Sequence, residues 1–187
     1  MPIISDTTGI LYLFIYNEMH IAATGIPGGH LEVSISNGEI IDKGDVYVAK
    51  PEKTGTAQIK VKAINQTGEI NEEDSIVYKV EYPPLPELIL PGMIGNTISK
   101  RNLPGRNTIE LKTYLHENPY TLQEFSLSLE RDKIFGAISN GLYLTQQQID
   151  LILSKPSGDK IYITNAKFRD PYGKIHSAPV KEIWIED

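Results

Sequence analysis

The sequence predicts two small all-β domains in tandem, each a β-sandwich or barrel. Two observations carry this prediction: stretches in which apolar and polar residues alternate with period two, and turn residues that interrupt them roughly every 8–12 residues. A third observation divides the 187-residue chain, because the prolines of Pro83–Pro86 cannot continue a strand ladder and stiffen the backbone. We therefore place the first domain at residues 1–82, a connector at 83–86 and the second domain at 87–187.

In the first domain, three stretches alternate as strands with one buried face do. They are His30–Ser36, Ala57–Ala63 and Ile76–Val80. The run Leu11–Tyr16 is apolar at every position, which predicts a central strand covered on both faces. Turn residues such as Asn37–Gly38 separate the strands, and no stretch of this half has helical periodicity.

The second domain repeats the pattern. Apolar and polar residues alternate over Ile109–Leu115 and Phe125–Leu129, and Lys160–Phe168 predicts a longer strand. That strand runs into Asp170–Gly173, in which Asp and Pro occupy the first two positions of a β-turn. A last strand is expected over Val180–Ile185.

One segment of the second domain departs from the β pattern. Thr145 and Gln148 have the spacing of a capping box, and apolar residues follow at helical intervals. We predict one short helix at about Gln146–Ser154, ended by Lys155–Gly158 and covering an open end of the second sandwich.

The net charge of −6 lies entirely in the first part of the chain. Through Leu85 there are 6 Lys and Arg residues against 12 Asp and Glu, and from Pro86 onward there are 12 of each kind. Nucleic-acid binding requires a basic face. The charge distribution therefore excludes nucleic acid as a partner.

Cysteine content and hydropathy bound the cellular context. The chain has no cysteine, which excludes disulfides, thiolate zinc sites and a cysteine nucleophile. No apolar run approaches the roughly 20 residues that cross a bilayer, and Met1–Asp6 lacks the features of a signal peptide. We expect either a cytoplasmic protein or a piece of a longer chain.

No residue pattern points to catalysis, a metal or a cofactor, and we predict that the protein is not an enzyme. There is no G-x-S-x-G motif, and Gly25–Gly29 lacks the Lys-Ser/Thr of a phosphate-binding loop. The acidic cluster Glu69–Asp74 could hold calcium if its oxygens converged, but a solvated loop is the better interpretation. The four histidines lack metal-ligand spacing: His20, His30, His116 and His176.

Trp184, the single tryptophan, is a candidate contact with a partner. If Ile183 and Ile185 face the core, alternation places Trp184 on the outer face of the last strand. An exposed tryptophan often marks a contact surface, although packing under a loop would explain it equally well. Together with the ten tyrosines it could also form a platform for carbohydrate, but tyrosine is common in half-buried strands.

The densest positive cluster is a second candidate contact. Lys100, Arg101 and Arg106 lie in the loop-like stretch Ser99–Arg106. In a pair of identical chains, this cluster could face the acidic first domain and set the orientation of the pair. A solvated loop that serves solubility is the alternative.

Several phrases of this sequence, in order along both domains, resemble one known family. They are Val33–Gly38, Thr54–Val61, Gly92–Lys100, Lys160–Ala166 and Asp170–Gly173. With a proline-rich joint between the domains, this order resembles the C-terminal periplasmic region of the GldM/PorM family of Bacteroidetes gliding motility and type IX secretion.

The resemblance implies two tandem Ig-like sandwiches without catalytic residues or cofactors. It implies a periplasmic structural module that forms homodimers and couples an inner-membrane component to outer-membrane-associated subunits, with GldL-, GldK- and GldN-like partners. The alternative is an Ig-like glycan-binding or adhesion module of a Bacteroidetes envelope protein. The membrane helix and helical domain that the family has upstream are not in this sequence, so we expect either a fragment of a longer membrane-anchored chain or a free-standing relative.

Overall fold

A computed structural model describes residues 2–4, 9–23, 30–103, 105, 107–131 and 138–187. Over these residues the fold is all-β with one short α-helix, which confirms the predicted fold class. The chain divides into two compact units, Met1–Pro83 and Pro84–Asp187. Gly25–Gly29 and Arg106 lie outside the described residues.

The strands of the first unit form two main sheets. In chain order the described strands are β1 (Pro2–Ile4), β2 (Ile10–Tyr12), β3 (Asn17–Met19), β4 (Ile21–Ala23), β5 (His30–Ile35), β6 (Glu39–Asp42), β7 (Tyr47–Lys50), β8 (Gly55–Ile64) and β9 (Ile70–Glu81). One sheet has the order β2-β9-β8-β5, another has the order β3-β7-β6, and β1 pairs with β4. Ile59 and Tyr78 of the first sheet and Ala49 of the second belong to one core, so the two sheets pack as a sandwich.

The predicted alternation is confirmed where one face of a strand is buried. In β8, Ala57, Ile59 and Val61 are fully buried, whereas Lys60 between them is exposed. Local alternation is enough to predict such a strand because successive side chains point to opposite faces of a sheet.

The prediction of one central strand over Leu11–Tyr16 is wrong. Strand β2 ends at Tyr12 and lies at the end of its sheet, and among the described strands it pairs only with β9, in parallel. Phe14 then takes a left-handed conformation (φ 71°), and the chain enters the other sheet as β3. The run is apolar throughout because it crosses from one sheet to the other, and Leu11, Leu13 and Ile15 are buried along that path.

The side chain of Asn17 holds this crossing in place. Its Oδ1 accepts from the N–H of Tyr12 (2.7 Å), and its Nδ2 donates to the carbonyl of Tyr12 (2.9 Å). The same Nδ2 also reaches the carbonyls of Ile15 and Ala49, each at 3.1 Å. The side-chain amide of Asn17 thus supplies hydrogen bonds to backbone groups between the end of β2 and the start of β3.

The second unit is built around a larger sheet. Its described elements are β10 (Glu87–Ile89), β11 (Met93–Ile94), β12 (Thr97–Ser99), a 3₁₀ turn (Lys100–Asn102), β13 (Glu110–Lys112), β14 (Thr121–Ser128), β15 (Ile138–Asn140), α1 (Gln146–Leu153), β16 (Lys160–Arg169), β17 (Ile175–Ser177) and β18 (Lys181–Glu186). The sheet has the order β11-β12-β18-β16-β14-β15, β17 also pairs with β16, and β10 pairs with β13. Phe125, Ile161, Phe168 and Ile183 are fully buried in its core.

Two details of the second unit differ from the sequence pattern. The predicted strand Ile109–Leu115 is shorter, because β13 spans only the three residues that pair with β10. In β14 the alternation predicts that Ser126 and Ser128, on either side of Leu127, are exposed, yet both are fully buried. Both faces of β14 are therefore covered at this point.

The predicted helix is present with the predicted cap. In α1 the Thr145 side chain accepts from the N–H of Gln148, and the Gln148 side chain accepts from the N–H of Thr145 (2.9 Å). Ile152 of α1 is buried in the second core, and Ser154 caps the C-terminal end. The capping box and the apolar spacing are local features, and here they were sufficient to predict the helix and its N-terminal cap.

Candidate interaction surface

Trp184 lies on the outer face of the large sheet. Its neighbours Ile183 and Ile185 are fully buried in the core, so the alternation of β18 turns Trp184 outward, and the residue is 42% exposed. It lies in the middle of the sheet, with Thr97 of β12 on one side and Lys160 of β16 on the other. The indole is thus supported on both sides by paired strands.

Lys160 and Glu182 fix the surroundings of the indole. The Lys160 Nζ lies 4.1 Å from the centroid of the Trp184 ring and 2.8 Å from a carboxylate oxygen of Glu182. A cation over an exposed aromatic ring contributes about 0.5–1 kcal/mol. The ammonium therefore covers part of the ring, and the carboxylate holds the ammonium there.

Lys100 was predicted as a candidate contact residue, with a solvated loop as the alternative, and the structure shows it bonded within the second unit. Lys100 begins the 3₁₀ turn that follows β12, and its Nζ donates to the carbonyl of Lys155 (3.0 Å) and pairs with the Asp187 carboxylate. These bonds lie within the second unit. Lys100 therefore connects the residue after β18, Asp187, to the segment that follows α1.

Arg101 remains a candidate contact residue. It is exposed within the 3₁₀ turn, whereas Arg106 lies outside the described residues. Because Thr97 pairs with Trp184 and Ser99 with Glu186, the turn begins three residues, or about 10 Å, along the same strand pair from the indole. Two features far apart in sequence thus share one region of the second unit.

We expect Lys100 and Arg101 to respond differently to substitution. Lys100→Met should lower the free energy of unfolding of the second domain by about 1 kcal/mol, because it removes a hydrogen bond and an ion pair of which one partner is half-buried. Arg101→Ala should change it by less than about 0.5 kcal/mol. Urea unfolding followed by Trp184 fluorescence measures both, and equal losses would contradict the structural role of Lys100.

Asp170 and His176 form a polar cluster that sequence reasoning missed. The Asp170 side chain is fully buried, its Oδ1 accepts from the N–H groups of Tyr172 and Lys174 (2.9 Å each), and its Oδ2 lies 2.9 Å from the His176 Nε2. The sequence showed the turn at Asp170 but not its partner. A histidine six residues after the aspartate, across a tight hairpin, is the signal that could have found it.

Hydrogen bonding controls the ionisation of this carboxylate. Burial is the largest single influence and raises the pKa of Asp170. The hydrogen bond from His176, those from the N–H groups of Lys174 and Tyr172, and the charge of His176 together outweigh it, so the pKa lies below its ordinary value. The cluster stabilises the β16–β17 hairpin, and its geometry is that of a structural cap.

The described residues show neither a candidate metal site nor a membrane-spanning helix. No group of three or more His, Asp or Glu side chains among them is arranged to hold a metal ion. Within the same part of the chain, no helix is long and apolar enough to cross a membrane.

Tandem Ig-like β-sandwich domains are the class of protein that this fold defines. The family described as GldM third domain matches residues 1–81, which is a little less than half of the chain. The resemblance to a GldM-family C-terminal region is thereby confirmed. GldM-family proteins are structural components of gliding motility and type IX secretion, and their C-terminal region is periplasmic.

Similarities to solved structures are distant. SGBP-B of the mixed-linkage glucan utilization locus of Bacteroides ovatus, in complex with a mixed-linkage heptasaccharide, has 14% identity and a TM-score of 0.32. The similarity covers 100% of this chain and 47% of that one, so this chain spans about half its length. Chicken VE-cadherin EC1-2 has 11% identity and a TM-score of 0.31 over 95% of each chain. Neither similarity carries an inference about this protein, and no curated protein sequence matches it.

Proposed function

We propose that this chain is a non-enzymatic structural and interaction module of a periplasmic gliding-motility or type IX secretion complex. In this role it couples an inner-membrane component to outer-membrane-associated subunits, as a homodimer that contacts GldL-, GldK- and GldN-like partners. The observation that carries the proposal is the GldM third-domain match of residues 1–81. Two sandwiches in tandem, and an exposed tryptophan in the middle of a sheet, are features that suit a module that couples one partner to another.

We propose that partners dock on the outer face at Trp184 and Arg101. A photo-crosslinking amino acid at position 184, in the natural chain and in cells, should yield adducts with a second copy or with another subunit. The control is the same substitution at Tyr114, which is 81% exposed in the connection between β13 and β14. Equal crosslinking at both positions, or none at either, would refute docking at this face.

The glycan-binding alternative is tested on the same residue. Stacking of a sugar requires an open ring face, and Lys160 covers part of the indole of Trp184. We therefore expect no specific binding on a glycan array. Specific binding that is lost in Trp184→Ala would favour the glycan-binding function over the proposed one.

We also propose that the domains at 1–82 and 87–187 fold independently about Pro83–Pro86. Limited proteolysis of the whole chain should then release fragments of about 85 and 100 residues, because exposed joints are cut before folded cores. Cleavage that begins inside either domain, with the joint intact, would show that the proline-rich stretch is not a boundary between independent folding units.

A further inference from the structure

A cleft of about 420 Å³ opens in the second unit beside the start of β18. We call it the β18 cleft, and its lining includes Leu88, Asn96, Ile163, Ala178, Val180 and Glu182. Leu88 belongs to β10, which pairs with β13 and forms the wall across from β18. The lining is largely aliphatic and lies at the edge of the sheet, and the side chain of Glu182 at its rim shares the outer face with Trp184.

The wall formed by β18 presents an unused strand edge. The N–H of Trp184 donates to the carbonyl of Asn96 (2.8 Å), on the side of β18 that faces away from β16. Residues two apart in a strand direct their backbone groups to the same side. The N–H and C=O of Glu182 therefore point away from β16 as well, but the pairing with β12 covers only Trp184, Ile185 and Glu186.

The charged groups of the cleft are already neutralised within the domain. Lys181 pairs with Glu87 across the cleft, and its Nζ also approaches the carbonyl of Leu88 (3.4 Å). The carboxylate of Glu182 pairs with Lys160. A charged side chain entering the cleft would lose hydration without gaining a free counter-charge, so the electrostatic complement of this cleft is an uncharged segment.

We infer that the β18 cleft binds an extended, uncharged, aliphatic segment of a partner polypeptide, which adds as a short strand to the edge of β18 at Glu182. The free backbone groups supply the hydrogen bonds of strand addition, and the aliphatic lining takes the side chains that point inward. The edge from Val180 to Glu182 is about 10 Å long, which limits the added strand to about three residues. Binding is accordingly expected to be weak for an isolated peptide.

This inference goes beyond the proposed function because it concerns the backbone edge of β18 at Glu182 and a contact made by backbone hydrogen bonds, not a contact with the Trp184 indole. Absence of crosslinking at position 184 would not contradict peptide binding in the β18 cleft. Failure of the peptide to bind would not contradict docking at Trp184. The two proposals therefore fail independently.

The probe is a blocked pentapeptide of alternating threonine and valine, titrated to millimolar concentration into the whole chain and followed by amide NMR. We expect saturable shifts at the Glu182 amide and at neighbouring residues of the cleft. A counterpart N-methylated at both valines, which cannot donate from those positions, should bind at least tenfold more weakly. Counterparts with lysine or glutamate at both valine positions should also bind more weakly.

Two variants locate the contact. Glu182→Pro removes the free N–H without removing a bond to β16, whereas Glu182→Ala removes the same carboxylate and keeps the N–H. We expect binding to Glu182→Pro to be at least tenfold weaker than binding to Glu182→Ala. The inference would be overturned if the peptide caused no shift at the Glu182 amide of the natural chain. It would also be overturned if the methylated and unmethylated peptides bound the natural chain equally well. The peptide comparison does not depend on whether Glu182→Pro folds.

Discussion

Gly38→Ala is expected to lower the free energy of unfolding of the first domain by about 3 kcal/mol or more. Gly38 has a φ of +94°, a conformation that residues with a Cβ rarely adopt. An added Cβ would lie 2.1 Å from the carbonyl oxygen of Lys50 and 2.7 Å from the Cα of Pro51. Both are backbone atoms, so no side-chain rotation relieves the overlap.

The backbone around Gly38 is also unable to move away. Lys50 pairs with Glu39 at the end of the β6–β7 ladder, immediately after Gly38. On the other side, the Asn37 side chain donates to the carbonyl of Lys53 (2.7 Å) and accepts from the N–H of Lys53 (3.2 Å). Relief of the clash would break one of these sets of bonds.

Gly44→Ala is the matched control for this prediction. Gly44 has a similar φ of +90°, but an added Cβ there would meet nothing within 4 Å. Only the conformational strain of a positive φ remains, so Gly44→Ala should lower the free energy of unfolding by about 1 kcal/mol. Urea unfolding followed by far-UV circular dichroism measures both variants, and Trp184 fluorescence reports the second domain separately because the chain has one tryptophan. Equal losses for the two variants would contradict the clash at Lys50.

Asp170→Ala should destabilise the second domain by about 2–3 kcal/mol at neutral pH. It leaves the N–H groups of Tyr172 and Lys174 without their carboxylate acceptor and takes away the partner of His176. Hydrogen bonds to a charged group contribute about 1.5–3 kcal/mol, and a donor left unpaired carries a desolvation cost. The exposed Asp159, which is not part of this cluster, supplies the control variant Asp159→Ala.

The effect of Asp170→Ala should depend on pH in a defined direction. The pKa of Asp170 is lower in the folded protein than the value of about 3.9 in an unfolded chain. Its contribution to stability is therefore present above about pH 4 and is lost as the pH falls through the lower, folded-state pKa. Urea unfolding at pH 7 and pH 3, followed by Trp184 fluorescence, should show the difference from wild type shrinking in acid, and a difference that grows in acid would refute this role.

Features that depend on neighbours in sequence were predictable from the sequence. The alternation of Ala57–Ala63 predicted a strand with one buried face, and the strand is present because side-chain direction repeats every two residues whatever the partner strand is. The cap of α1 was predictable for the same reason, since Thr145 and Gln148 satisfy each other's backbone groups within a single turn.

Features that depend on distant pairing were decided by the tertiary structure. The apolar run Leu11–Tyr16 reads as one strand, and only the sheets on either side and the amide of Asn17 divide it between them. Ser126 looks exposed in the sequence, but its surroundings come from other parts of the fold. Burial is set by what packs against a residue, and a local pattern does not contain that information.

The candidate surface combines both kinds of information. Alternation alone places Trp184 outward, and the sequence alone identifies Lys100, Arg101 and Arg106 as a basic cluster. The parallel pairing of β12 with β18 brings the 3₁₀ turn that carries Lys100 and Arg101 near Trp184. There Lys100 bonds to Asp187 and the carbonyl of Lys155, whereas Arg101 remains exposed. The register of two strands more than 80 residues apart is selected by the burial of Ile98, Ile183 and Ile185 in a common core, and that selection exists only in the folded chain.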